Sequence, residues 1–364
     1  MNTRGFLFFL LTLICHFNAK PQGFGIGGSF YHGFVIPHNT SMRYLVTGYS
    51  SGGGIDVVFR GKSEKPWQKD YKNPTFGLSA NFFSWPSHHI LGWALGIQPF
   101  VDFRLHQKRN RELILRHGTG IGYISAPFQR TENHKNNVMS SHLNGNVTFR
   151  LGERFYYGNG AFLEGGIHVT HFSNGAVRMP NLGINYISAY FSCVLGKNLK
   201  NNQPLLPDSS RPEIPKKSFW IFQGMVGLNE ANPPGGKKHY PWNLSSVYLR
   251  NFSKNSSWFA GLELLNSPAN IARLENDSVF ISYGENFQAG IKGGYEQGVG
   301  NLGLYIEKGI YVIDKHRVNG LFFHRLGIRW YFSERFMCSF NLKSHWASAD
   351  GMEIGFAYKL KAGK

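Results

Sequence analysis

Beyond its first twenty residues the chain has no apolar run approaching the ~20 residues a transmembrane helix needs. It is instead crowded with short segments in which apolar and polar residues alternate. That period of two constrains the fold more than any other feature, because a strand sends successive side chains to opposite faces. Alternating segments run near 24–35, 42–48, 54–61, 75–84, 91–105, 112–125, 138–151, 158–173 and 183–196. The second and third read as one strand interrupted around Ser50 to Gly54, which leaves about eight. Charged or polar turns separate them at Gly61 to Asn73, Gln107 to Arg111 and Gln129 to Asn137. Alternation resumes near 219–228, 244–252, 256–265, 280–294, 299–312, 319–332, 335–345 and 352–360, again about eight strands. Strands of ~9–11 residues suit a bilayer crossed at a tilt.

Between the halves, residues 197–217 carry Pro204, Pro207, Pro212 and Pro215 among Asn, Lys, Asp and Ser. Proline denies a β-ladder its donors, so this stretch reads as a linker or a long loop. Two architectures follow, both all-β and antiparallel. One is a tandem pair of eight-stranded barrels, at 20–196 and 218–364. The other is a single barrel of up to sixteen strands, with 197–217 as one loop.

The compartment is read from the start of the chain. Arg4 supplies a positive region, Gly5 to Cys15 is almost wholly apolar, and Ala19 offers a small residue for cleavage. The pattern predicts a signal peptide over 1–19. A lipoprotein anchor at Cys15 is the weaker alternative, since Leu13-Ile14 lacks the small residues such a site prefers. The chain is rich in Gly (44), Phe (31) and Tyr (17), the mixture of tight turns and aromatic girdles expected of an outer-membrane barrel. Its net charge of +18 points to anionic phosphates. Nucleic acid is a poor partner for an exported protein, so lipopolysaccharide phosphates or anionic lipid are expected. Cys193 and Cys338 each fall on the apolar face of a predicted strand, as separate thiols facing lipid.

The most informative stretch runs from Leu163 to Leu195. Leu163, Ile167, Val169, His171 and Ser173 share one strand face, while Glu164, His168 and Thr170 point the other way. In the following strand Asn185, Ile187, Ala189, Phe191, Cys193 and Leu195 share a face, opposite Tyr186, Ser188, Tyr190 and Ser192. His171, Ser173 and Asn185 thus lie on otherwise apolar faces, where polar groups are costly unless paired or used.

His171-Phe172-Ser173-Asn174, followed by Pro180-Asn181-Leu182-Gly183-Ile184, resembles the HxSN…PNxGI signature of the outer-membrane lipid A 3-O-deacylase family, also described as acyloxyacyl hydrolase-like. A looser similarity starts near Trp93, includes Ser141 to Phe149, and ends at about Leu195. The resemblance implies a small barrel ending on the strand at 183–196, which favours the tandem arrangement. It also implies a hydrolase acting on lipid A in the outer membrane. No cofactor or metal is expected from the residues, while assistance by a cation stays open. One position departs: the family's catalytic Glu aligns with Asn185.

On this reading Ser173 is the nucleophile and His171 the base that takes its proton, since a free hydroxyl is a weak nucleophile. Asn185, at the head of the neighbouring strand, is the group that orients the imidazole. An amide serves in this role in Cys-His-Asn proteases, but it brings no charge to stabilise imidazolium. Glu164 lies on the opposite face and is a poor substitute. Asn174, Gly175 and Asn181 sit in the loop that would cover the oxyanion, and the resemblance makes Asn181 the side-chain donor. Arg178 is the candidate for a lipid A phosphate. In the second half, parity turns His345 and Glu353 inward as an interior polar pair, with Ala347 where a nucleophile would be needed. The competing function is a non-catalytic barrel, either a porin or a scaffold carrying a degraded site, with Asn185 as its best support.

Overall fold

The computed structural model describes residues 21–61, 65–200, 217–231, 233–346 and 348–362. The signal peptide read at 1–19, Cys15, residues 201–216 of the proline-rich stretch, and Ala347 lie outside the described residues. The first half forms β1 (Pro21–Val35), β2 (Ser50–Gly61), β3 (Thr75–Ser84), β4 (Trp93–Lys108), β5 (Arg111–Ile124), β6 (Leu143–Tyr157), β7 (Ala161–Ser173) and β8 (Ile184–Lys197). Each strand pairs antiparallel with the next, and β8 returns to β1, with Leu195 opposite Ile26, to close a barrel.

The second half forms β9 (Ser218–Glu230), β10 (Lys238–His239), β11 (Trp242–Asn251), β12 (Ser256–Asn266), β13 (Phe287–Val299), β14 (Leu302–Ile313), β15 (Phe322–Tyr331), β16 (Phe336–His345) and β17 (Ser348–Lys361). β10 is a two-residue addition beside the end of β9. β17 pairs with β9, placing Ile354 opposite Val226, so eight strands close here as well. The tandem of eight-stranded barrels is the architecture, and the sixteen-strand closure is excluded.

Local departures from the sequence reading have simple causes. Residues 42–48 are no strand: Thr40–Leu45 is a 3-10 helix, whose first turn is capped when Asn39 Oδ1 accepts from Ser41 N–H at 2.9 Å. Met42 and Leu45, three apart, are both buried, which is helical spacing mistaken for alternation. The strand expected from 138 starts at Leu143, because Val138 and Met139 are buried in a loop cluster instead. A short helix, Pro268–Asn276, lies between two alternating segments, and the strand expected from 280 begins at Phe287.

Both barrels are apolar outside and polar inside. Phe30, Ile55, Phe82, Ile97, Phe149, Ile167 and Phe191 are exposed on the wall of the first, and Phe222, Leu244, Leu262, Ile306, Leu326 and Ile354 on that of the second. Inside the first, Arg116 bonds Asp56 at 2.7 Å and Asp102 at 2.6 Å. Arg150 bonds Asp56 at 2.9 Å, and Arg154 bonds Asp102 and Glu164 at 2.7 Å each. Inside the second, Arg325 bonds Glu263, Glu307 and Glu353 at 2.6–2.8 Å, and Lys292 lies 3.1 Å from Glu263. Side chains fill the interior of a barrel of this size, and here ion pairs share it with aromatic and aliphatic clusters.

His345 and Glu353 do point inward, but they are not a pair. His345 lies 2.9 Å from the Tyr311 hydroxyl and 3.8 Å from Asp350, whereas Glu353 accepts from Arg325. Cys193 is exposed and Cys338 half-buried, both as free thiols.

Because Asp102 serves two buried guanidiniums, Asp102→Asn should leave both short of a counter-charge. The expected loss is about 3–5 kcal/mol, read as a lower urea midpoint for unfolding of the protein from detergent micelles. Exposed Ile167→Leu on the outer wall should leave that midpoint nearly unchanged.

Candidate functional site

The register of β7 between its neighbours builds the site. His171 lies directly opposite Asn185 of β8, with Phe172 opposite Ile184 and Thr170 opposite Tyr186. On the other side His171 faces Val147 and Ser173 faces Gly145 of β6. Parity then separates the side chains. Thr170, Phe172, Ile184 and Tyr186 are buried inside, whereas His171, Ser173 and Asn185 are half-buried on the outer side. Under them Phe172 packs against Trp85 and Phe83, at ring separations of 5.9 and 6.1 Å, within a cluster that includes Tyr31, Tyr186 and Ile184. This aromatic floor fixes the strand ends that carry the polar groups.

His171 Nδ1 lies 2.6 Å from Asn185 Oδ1. A carbonyl oxygen only accepts, so Nδ1 carries the proton and donates, which leaves Nε2 with a free lone pair in the neutral ring. That is the tautomer a general base requires. Ser173, the last residue of β7, follows two positions later on the same face. Glu164 is remote from this group: it is buried inside, where it accepts from Arg154 and from the Tyr190 hydroxyl.

The loops pin the site from both sides. Asn174 Nδ2 donates to Ser141 Oγ at 2.9 Å and to Ser140 Oγ at 3.1 Å. Ser141 in turn donates to Asn144 Oδ1 at 2.8 Å. The segment starting at Ser141 therefore supports the residue next to Ser173. Gly183 has φ +78°, and a Cβ there would stand 2.8 Å from His171 Cε1. Only glycine gives the imidazole its place. Packing assigns Gly175–Asn181 to the second compact unit, with residues 217 onward, and the other site residues to the first. Within that second unit Gly175 and Asn181 are buried and Arg178 is exposed.

One member of the cluster has no signal in the strand periodicity. His38, three residues past the end of β1, lies with Nδ1 2.9 Å from Asn185 Nδ2 and Nε2 3.0 Å from the Leu182 carbonyl. Barrel closure brings it there. β1 pairs with β8 as far as Val35 opposite Tyr186, and Ile36 N–H then donates to the Asn185 carbonyl at 2.8 Å.

Residues 52–193 match the family model described as lipid A 3-O-deacylase (PagL). Residues 218–362 match that described as acyloxyacyl hydrolase, C-terminal domain. The similarity thus begins well before Trp93, and both barrels carry a match. No curated protein matches the chain. Among solved structures, the outer membrane enzyme PagL is 17% identical over 46% of this chain and 97% of its own, with a TM-score of 0.31. A mutant porin of Rh. blastica is 10% identical over 93% and 99%, with a TM-score of 0.21. CdiB from Acinetobacter baumannii is 8% identical over 95% and 61%, with a TM-score of 0.19.

Gly183→Ala should cost about 1–2 kcal/mol for a left-handed backbone alone. It should also push the imbalance onto the imidazole. The check is a shift of the His171 ring signals in ¹⁵N-histidine spectra of the micellar protein, identified by their loss in His171→Gln, together with a lowered urea midpoint.

Proposed function

Because the chain belongs to the family of lipid A 3-O-deacylases and acyloxyacyl hydrolases, we propose that it is an outer-membrane esterase that removes an ester-linked acyl chain from lipid A by a serine–histidine mechanism. Ser173 Oγ attacks the ester carbonyl carbon while His171 Nε2 takes its proton. The tetrahedral intermediate collapses, the bond to the sugar oxygen breaks, and the imidazolium returns the proton to that oxygen. Water then attacks the acyl-serine with His171 again as base, releasing the fatty acid and restoring the hydroxyl.

The observation that carries this reading is the 2.6 Å contact between His171 Nδ1 and Asn185 Oδ1 on the outer wall. It selects the tautomer whose Nε2 is a base, and Ser173 lies two residues further along the same face. The surroundings suit an acyl substrate. Leu143, Val169 and the half-buried Ile187 flank the group, and Gly145, opposite Ser173, puts no side chain beside it. A lipid already in the bilayer reaches such a wall by lateral diffusion and needs no pocket in the lumen. Asn174 gives both Nδ2 hydrogens to Ser140 and Ser141 Oγ, so it braces the loop beside Ser173 and leaves the oxyanion to other donors.

The porin alternative fares poorly, since ion pairs occupy both interiors. The scaffold alternative rests on Asn185. An Asp-to-Asn change in a serine protease costs about 10⁴ in kcat, chiefly through the wrong tautomer. The contact here favours the right one, so that penalty does not carry over in full.

Purified protein in detergent should release fatty acid from lipopolysaccharide. Ser173→Ala should lower that rate at least about 10³-fold, with His171→Ala similar, while heat-modifiable gel mobility reports an intact barrel. Equal release by Ser173→Ala and the unaltered protein would remove the serine mechanism.

A further inference from the structure

We propose that His38 is a positioning residue that reads the amide of Asn185 and holds its oxygen toward His171; the inference rests on the hydrolase reading above. A carboxylate presents an oxygen whichever way it turns. An amide does not. Turned one way, Asn185 accepts from His171 Nδ1–H and leaves Nε2 basic. Turned the other way, it offers an N–H to Nδ1, moves the ring proton to Nε2, and leaves nothing to deprotonate Ser173. A site with asparagine at this position works only if something distinguishes the two ends of the amide.

His38 supplies the distinction. Its Nε2 faces the Leu182 carbonyl oxygen at 3.0 Å. That oxygen only accepts, so Nε2 carries the proton and Nδ1 of the neutral ring is bare. A bare nitrogen 2.9 Å from Asn185 accepts from Nδ2–H and would meet Oδ1 with lone pair against lone pair. The Ile36 carbonyl is 3.4 Å from the same Nδ1, and it already accepts from His38 N–H at 3.0 Å. A proton on Nδ1 aimed at Ile36 would leave Nε2 and the Leu182 oxygen as two facing acceptors. The chain of donors therefore has one direction: Asn185 Nδ2–H to His38 Nδ1, His38 Nε2–H to Leu182, and His171 Nδ1–H to Asn185 Oδ1. The anchor, Leu182, precedes the glycine that makes room for the imidazole. The same loop thus sets both the ring and the amide.

The test combines spectra and kinetics on the full chain in micelles. In ¹⁵N-histidine spectra the His171 ring should be protonated on Nδ1 in the unaltered protein. In His38→Phe it should become a mixture of tautomers. The rate of p-nitrophenyl ester hydrolysis should fall about three- to tenfold in kcat, equivalent to one lost hydrogen bond, with KM within about twofold. In an Asn185→Glu background, where no amide needs orienting, His38→Phe should change kcat by less than about twofold. His38→Lys, which offers only donors, should cost more than His38→Phe beside Asn185. An unchanged His171 tautomer in His38→Phe, or an equal loss in both backgrounds, would overturn the role of His38. Failure of the serine mechanism appears separately, as hydrolysis surviving Ser173→Ala, and the spectra still judge His38 in that event.

Discussion

A strand crossing hydrocarbon has no water to satisfy its backbone, so every N–H and C=O must find a neighbouring strand. Closing the ladder on itself is the solution, and here it is reached twice within one chain, each time with eight strands. Closure makes the two faces of every strand physically different. The outer one meets acyl chains, and the inner one meets only other side chains in a narrow space. Most of what distinguishes this molecule follows from that division. The guanidiniums of Arg116, Arg150 and Arg154 can be buried because Asp56, Asp102 and Glu164 are turned inward by the same parity. Buried pairs of this kind are not a large source of stability compared with apolar packing. They hold register, since a slip of one residue would turn each charge into lipid.

The same parity places a polar cluster on the outside. A histidine, a serine and an asparagine on an apolar face would be expensive ornaments if idle. The ladder sets His171 opposite Asn185, and the cross-strand spacing at such a position brings short polar side chains into hydrogen-bond range. The mutual placement of these two groups needs no loop to define it. The loops refine it instead, through Gly183 beneath the ring and through Ser140 and Ser141 on Asn174.

How much of this is legible in the sequence depends on the range of the interaction. Alternation is local, and it correctly assigned His171, Ser173 and Asn185 to the outer face and Glu164, His168 and Thr170 to the inner one. It misled at 42–48, where Met42 and Leu45 are buried at a spacing that suits a helical turn as well as a broken strand. It also joined His345 and Glu353, because parity gives a direction and not a partner; Tyr311 and Arg325, from other strands, claim them. His38 shows the limit most sharply. It is 147 positions from Asn185 in sequence and lies beyond the end of its strand. Only the closure of β1 on β8 carries it to the site, and closure has no local signature.

The second barrel sharpens the argument by contrast. It has a histidine at the end of a strand, His345, and acidic partners close by, yet that ring is turned inward onto Tyr311 and Asp350. Lys343 and Arg273 share Asp350 with it, so the group is part of the ionic filling of the lumen. A shift of one residue in strand parity separates this arrangement from that of His171. Similar residues at similar strand ends therefore meet different surroundings: His171 faces the outer side beside Ser173, whereas His345 faces the lumen and joins its ion pairs. The face, more than the composition of the cluster, decides which barrel wall a membrane-borne acyl chain can engage.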